Sequence, residues 1–143
     1  MKKFIAIVAV IAVLYVGLNQ INSTHGSTGE TTPATEAVAS AFKDQRSGIQ
    51  VEGEGTVAKV LPDDNDGSRH QRFILRLPSG QTLLVAHNID IAQRVTSLAS
   101  GDPVQFKGVY EWNSRGGVVH WTHRDPSGEH RAGWLKHNGE TYQ

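Results

Sequence analysis

Apolar positions along the chain change their spacing several times, and each change marks an element. Phe4 to Leu18 are all apolar or glycine and follow Lys2 and Lys3. Residues 19–32 (NQINSTHGSTGETT) have no apolar period and cannot bury enough surface to offset the entropy of ordering. Thr32-Pro33 then reads as an N-cap and first helical residue. Val38, Ala41, Phe42 and Gln45 follow at helical spacing, and Gly48 is placed to stop a helix over 33–46. From Ile49 the period becomes two. Residues 49–61 set Val51, Gly53, Gly55 and Val57 against Glu52, Glu54 and Thr56, a strand whose two glycines suggest a bend. Residues 70–77 place Gln71, Phe73, Leu75 and Leu77 on one face and His70, Arg72, Ile74 and Arg76 on the other. Residues 81–87 read as a third strand, 103–112 as a fourth and 118–123 as a fifth. Between the third and fourth, residues 88–99 fit a short helix with Ile91, Val95 and Leu98 on one side.

The expected fold is mainly β: a small five-stranded OB-type barrel with one short helix between strands three and four, preceded by an N-terminal hydrophobic helix and a short helix. A different small barrel or a sandwich is the alternative. The expected organisation is a signal peptide or signal anchor at 1–18, a polar linker and short helix at 19–48, and the barrel domain at 49–143.

Flanking charge assigns the first segment an address. No Lys or Arg follows Lys3 until Lys43, which leaves the N-terminus in the cytoplasm and the rest outside. Fifteen helical residues span roughly 22 Å, short of a ~30 Å hydrocarbon core, so length does not separate anchor from cleaved peptide. No small-x-small site lies close behind Leu18, which favours an uncleaved anchor. The expected location is the cell envelope, anchored in the inner membrane and facing the periplasm, or secreted if the segment is cleaved. The 143 residues contain no cysteine, so disulfides, thiolate metal sites and cysteine nucleophiles are excluded. Fourteen Lys plus Arg balance fourteen Asp plus Glu, which excludes binding nucleic acid by bulk charge alone.

The runs SRHQRFIL, LLVAHNIDIA, GDPVQFKGVYEWN and GGVVHWTHRDPSGEHRAGWLKHNGETYQ resemble the bacterial domain-of-unknown-function family 3465, from about residue 51 to the C-terminus. The resemblance implies a bacterial envelope or secreted protein. It brings no activity, substrate or ligand with it.

Two constellations carry candidate chemistry. His120, His123, Asp125 and His130, with His137 beyond, offer nitrogen and oxygen ligands of the kind that hold Zn²⁺ and activate a bound water. Zinc is the one cofactor they suggest, for a metal-dependent hydrolase of nuclease or phosphodiesterase type. Residues three apart on a strand point to opposite faces, so His120 and His123 converge only if the strand ends or bulges between them. The plainer reading has these imidazoles capping turns and bonding carbonyls. In the second constellation, basic side chains stand beside aromatic rings, the apparatus for holding single-stranded nucleic acid or an oligosaccharide on the strands and loops of an OB-fold. Its residues are His70, Arg72 and Arg76 on strand two, with Trp112, Asn113 and Arg115 in the loop after strand four. Trp112 could equally pack, and Trp121 and Trp134 are expected in the core. From Ile49 onward ten Lys plus Arg face eleven Asp plus Glu, so a basic groove can only be local.

The leading expectation is an exported or membrane-tethered module binding an extended polymer. The alternatives are the hydrolase and a structural domain of an envelope assembly. Asp63 to Gly67 suggests calcium, but an EF-hand register puts Pro62 and Phe73 where carboxylates are required, so a solvated turn is expected. Nucleophile-elbow, phosphate-loop and dinucleotide motifs are absent.

Overall fold

Alternation along the strands decides the architecture, because most side chains at every second position of each long strand are apolar and need a common interior. A computed structural model describes residues 33–143. The expected signal segment and tether therefore lie outside the described residues. The described chain is mainly β, with one helix, α1 (Pro33–Lys43), and seven strands: β1 (Ile49–Asp64), β2 (His70–Arg76), β3 (Thr82–Asn88), β4 (Pro103–Glu111), β5 (Val118–His120), β6 (Trp134–His137) and β7 (Glu140–Tyr142). No described helix is long and apolar enough to cross a membrane.

All seven strands belong to one sheet, and five of them pair in a ring, β1–β2–β3–β5–β4 and back to β1. The long first strand makes this possible by changing partner at Thr56, which faces Pro103 of β4 on one side and Arg76 of β2 on the other. A register shift between Val57 and Lys59 bends the strand there. The glycines serve close packing: a Cβ on Gly53 would stand 2.8 Å from the Phe106 ring, and one on Gly55 3.0 Å from the Arg76 carbonyl oxygen. β3 and β5 are parallel, through Leu84 opposite Val118 and Val85 opposite Val119. Phe73, Leu75, Leu83, Val85, Phe106 and Tyr110 fill the interior without exposure. Val38 and Ala41 of α1 join the same core.

Helix α1 is shorter than the spacing suggests. Gln45 takes a left-handed φ of 51°, and the N–H groups of Gln45 and Arg46 bond the carbonyls of Phe42 (3.2 Å) and Ala41 (2.9 Å), closing the helix three residues before Gly48.

The expected helix over 88–99 does not form; the segment is a chain of turns. Side chains from the strands take the backbone groups a helix would need. Gln71 clamps Val95, donating its amide to the Val95 carbonyl (3.0 Å) and accepting from the Val95 N–H (2.9 Å). Asn88 accepts from the Asp90 N–H, and His87 bonds the Gln93 carbonyl. Of the expected apolar stripe, Val95 is buried but Ile91 is 44% exposed.

The fifth strand stops at His120, not at residue 123, because Trp121 turns to a φ of 54°. Two short strands that the alternation did not reveal extend the sheet: β6 adds to β4, with Gln105 opposite Lys136 and Lys107 opposite Trp134, and β7 adds to β6. Asn138-Gly139 joins them with φ values of 50° and 79°, the geometry of a two-residue I′ turn.

Candidate functional site

On β2 and β3 buried positions alternate strictly with half-buried ones, Arg76 at the end of β2 being exposed, so the outward face is fixed by sequence parity. It carries His70, Arg72, Ile74 and Arg76 from β2, opposite Asn88, Ala86, Leu84 and Thr82 from β3. Across the shifted β1 register, Lys59 stands beside Ile74 and Leu61 beside Arg72. A row of half-buried apolar residues, Ile74–Leu84–Val118, crosses three strands. The faces of β2 are those the spacing predicts.

The loop after β4 is tied to the same region. Asn113 Oδ1 accepts from the Arg115 N–H (2.9 Å) and the Gly117 N–H (3.0 Å), shaping the turn. Thr82 Oγ1 donates to the Arg115 carbonyl (3.0 Å), and Gln81 donates to that of Gly116 (2.8 Å). Thr82 is also the cross-strand neighbour of Arg76, so the loop bearing Arg115 is seated at the Arg76 end of the face. Within the face, Arg72 Nε donates to the Pro62 carbonyl (3.1 Å), which holds its stem along β1. His70 Nδ1 bonds the Ser68 carbonyl (2.8 Å) at the opposite end. Among the described residues none of Lys59, Arg72, Arg76 and Arg115 is ion-paired with a carboxylate, whereas Arg69 pairs with Asp90 (2.7 Å) and Arg94 with Asp63. The Arg69 backbone N–H and guanidinium hold the Asp90 carboxyl below its ordinary value.

Trp112 stands apart from this set. Its indole N–H donates to the Phe42 carbonyl (3.1 Å), its backbone N–H donates to Ser47 Oγ (2.8 Å), and its ring packs against the core with Phe42. The ring fastens α1 to the domain. Trp112→Phe should cost about 1 kcal/mol in urea unfolding, the worth of the lost N–H bond.

The histidines form a network of a different kind. His120 meets Glu111 at 3.4 Å, and its ring centroid lies 6.4 Å from that of Trp121. His123, 2% exposed, donates from Nδ1 to the Arg124 carbonyl (2.6 Å). His130 stacks on Trp121 with ring centroids 4.0 Å apart. Asp125 accepts from the N–H groups of His130 (2.7 Å) and Ser127 (2.9 Å) and from the Ser127 hydroxyl, and so caps its own turn. Desolvation raises its carboxyl pKa, but these bonds, with that of the Glu129 N–H, outweigh it and hold the group at about 2. His120, His123, Asp125 and His130 are thus not brought together as a ligand set. Among the described residues no three His, Asp or Glu are placed to hold a metal ion.

Two buried histidine contacts had no signal in the spacing. His87 accepts at Nδ1 from the Thr122 hydroxyl (2.8 Å) and donates from Nε2 to the Gln93 carbonyl (3.0 Å). Burial pushes its pKa down to about 4 despite the Gln93 bond, aided by His123 and His70, so the ring is neutral. His137 bonds Asp102 at 2.8 Å and lowers that carboxyl's pKa, together with the Ala99 N–H.

The class defined by these observations is a small mainly β domain with a five-strand ring of pairings and a cation-lined outer face. The chain belongs to the protein-of-unknown-function family DUF3465, whose sequence profile matches residues 22–143 and so takes in α1 as well as the strands. No curated protein matches it.

Proposed function

We propose that the five-strand ring is an OB-type barrel and that the protein is an exported or membrane-tethered module binding an extended polymer across the outward face of β2 and β3. The pairing order supports the first part: a long first strand shared by β2 and β4, and a parallel β3–β5 contact that closes the ring, match the five-stranded Greek-key arrangement. The single observation that carries the second is the run of unpaired cations on that face, Arg72 and Arg76 on β2 with the Arg115 loop bonded to Thr82. In OB-folds the same strands and the loops after strands one and four hold oligonucleotides and oligosaccharides. Lys2, Lys3 and the apolar run behind them supply the export or the tether. The hydrolase reading has less support, because His123 and Asp125 are bonded within their own turn, His120 meets Glu111 across the sheet and His130 stacks on Trp121.

The test is affinity for a panel of polymers at low and moderate salt. Wild-type protein should bind at least one member, and the Arg72→Ala/Arg76→Ala variant should lose about tenfold in affinity, with the log–log salt slope shallower by about 1 to 2 for a polyanion. A double variant that binds the panel like wild type would place the site elsewhere.

A further inference from the structure

Resting on that reading of the β2–β3 face, we infer that its polymer is an acidic polysaccharide, held by charge and by aliphatic contact without base stacking. Single-stranded nucleic acid is gripped in OB-folds by two devices, cations along the backbone and flat aromatic rings under the bases. This face has the first and lacks the second. The outward residues of β2 and β3 are His70, Arg72, Ile74, Arg76, Thr82, Leu84, Ala86 and Asn88, with no Phe, Tyr or Trp among them.

The aromatic rings of the described residues are committed elsewhere. Phe73, Phe106 and Tyr110 are fully buried, and Tyr142 is 3% exposed. Phe42 and Trp112 each pack against the core, with the Trp112 indole N–H bonded to the Phe42 carbonyl. Trp121 is stacked on His130, and the Lys136 ammonium lies 4.3 Å above the centre of the Trp134 ring.

What the face offers is an aliphatic floor, Ile74, Leu84 and Val118, suited to the C–H face of a sugar ring. Around the floor stand Lys59, Arg72, Arg76 and Arg115. All four lack a carboxylate partner among the described residues, so their charge is available to a carboxylated or sulfated chain. Arg72 and Arg76 sit two outward positions apart on one strand, roughly 14 Å, which matches recurring charges on a polymer better than a single anion. The turn after β1 sets the limit. Asp64 stands opposite His70 and accepts from the Asp66 N–H, so an acidic chain is repelled at that end and runs instead towards Arg76 and Arg115.

The experiment compares three probes of equal length on the full chain at two salt concentrations: a polygalacturonate oligomer, a neutral maltooligosaccharide and oligo-dT. Polygalacturonate should bind in a salt-sensitive way, the neutral glycan should bind at least tenfold more weakly, and oligo-dT should bind no tighter than polygalacturonate. Arg76→Glu and Arg115→Glu, at exposed positions, should each weaken polygalacturonate binding by about tenfold while leaving circular dichroism unchanged. Oligo-dT bound tenfold tighter than polygalacturonate would overturn the glycan assignment and leave a polymer-binding face. Equal binding of the neutral glycan would also overturn it, because charge would then not be read. Binding of none of the three would overturn both this inference and the polymer reading beneath it.

Discussion

Replacing Gly133 by alanine is expected to destabilise the domain by about 3 kcal/mol, one of the largest effects of any single methyl group in the molecule. The chain leaves the edge of β4 after His120 and returns to it at Trp134, and Gly133 is where the excursion closes. Its N–H donates to the His123 carbonyl (2.9 Å). A Cβ there would fall on the carbonyl oxygens of Trp121 and Lys107 and stand 3.0 Å from Thr122 Cα. These are backbone atoms of two different segments, so no side-chain rotation relieves the collision, and the loop must back away from β4. The loss appears as a fall of roughly 10–20 °C in melting temperature for a domain of this size. Gly139→Ala is the control. It has φ 79° but nothing within 4 Å, so only the left-handed backbone opposes a side chain, at a cost of about 1 kcal/mol. If the two variants were equally stable, the loop would be giving way at little cost and the close approach would not matter to the fold.

The same segment shows where the sequence is legible and where it is not. Strands β1 to β4 could be read because alternation needs only local information, and the outward face of Arg72 and Arg76 follows from parity. The turns over 88–99 could not, because apolar spacing there is compatible with a helix. What defeats the helix is the Gln71 amide from another strand, which takes both backbone groups of Val95. β6 and β7 did have a local signal in Asn138-Gly139, a dipeptide that favours a tight hairpin. Trp112 and the histidines are the reverse case. Their residue types suggested ligand chemistry, and the bonds that engage them, Trp112 to Phe42 and His123 to Arg124, join positions up to 70 residues apart or lie in turns that spacing does not describe. Residue type shows which chemistry is available, but only the tertiary bonds decide whether it is free to act.

Acidification from pH 7.5 to 4.5 should remove roughly 2 to 3 kcal/mol of stability through His87 alone. Its pKa is lowered from 6.5 to about 4 in the folded state, chiefly by burial, so the unfolded chain takes up a proton that the folded ring refuses. The contribution is fully present above pH 6.5. It is lost progressively as the pH falls towards 4, and a gap of that size corresponds to about 3 kcal/mol. Asp90, Asp102 and Asp125, whose pKa values are also lowered, act in a separate window. Their stabilisation is present above the ordinary carboxylate value and is lost only as the pH falls below about 4 through their folded values. The expected profile therefore has two stages, the first belonging to histidine. Structurally, a proton on Nδ1 removes the acceptor for the Thr122 hydroxyl and puts charge beside His123, whose ring lies 6.4 Å away. His87 ties the 88–99 turns through Gln93 and the segment after β5 through Thr122, so both should loosen together. Urea unfolding at pH 7.5, 6.5, 5.5 and 4.5 measures the effect. His87→Gln, which cannot titrate, should be about 1 to 2 kcal/mol less stable at pH 7.5 and nearly flat between pH 6.5 and 4.5. A variant retaining the wild-type slope would assign that stage to other histidines and leave His87 as packing alone.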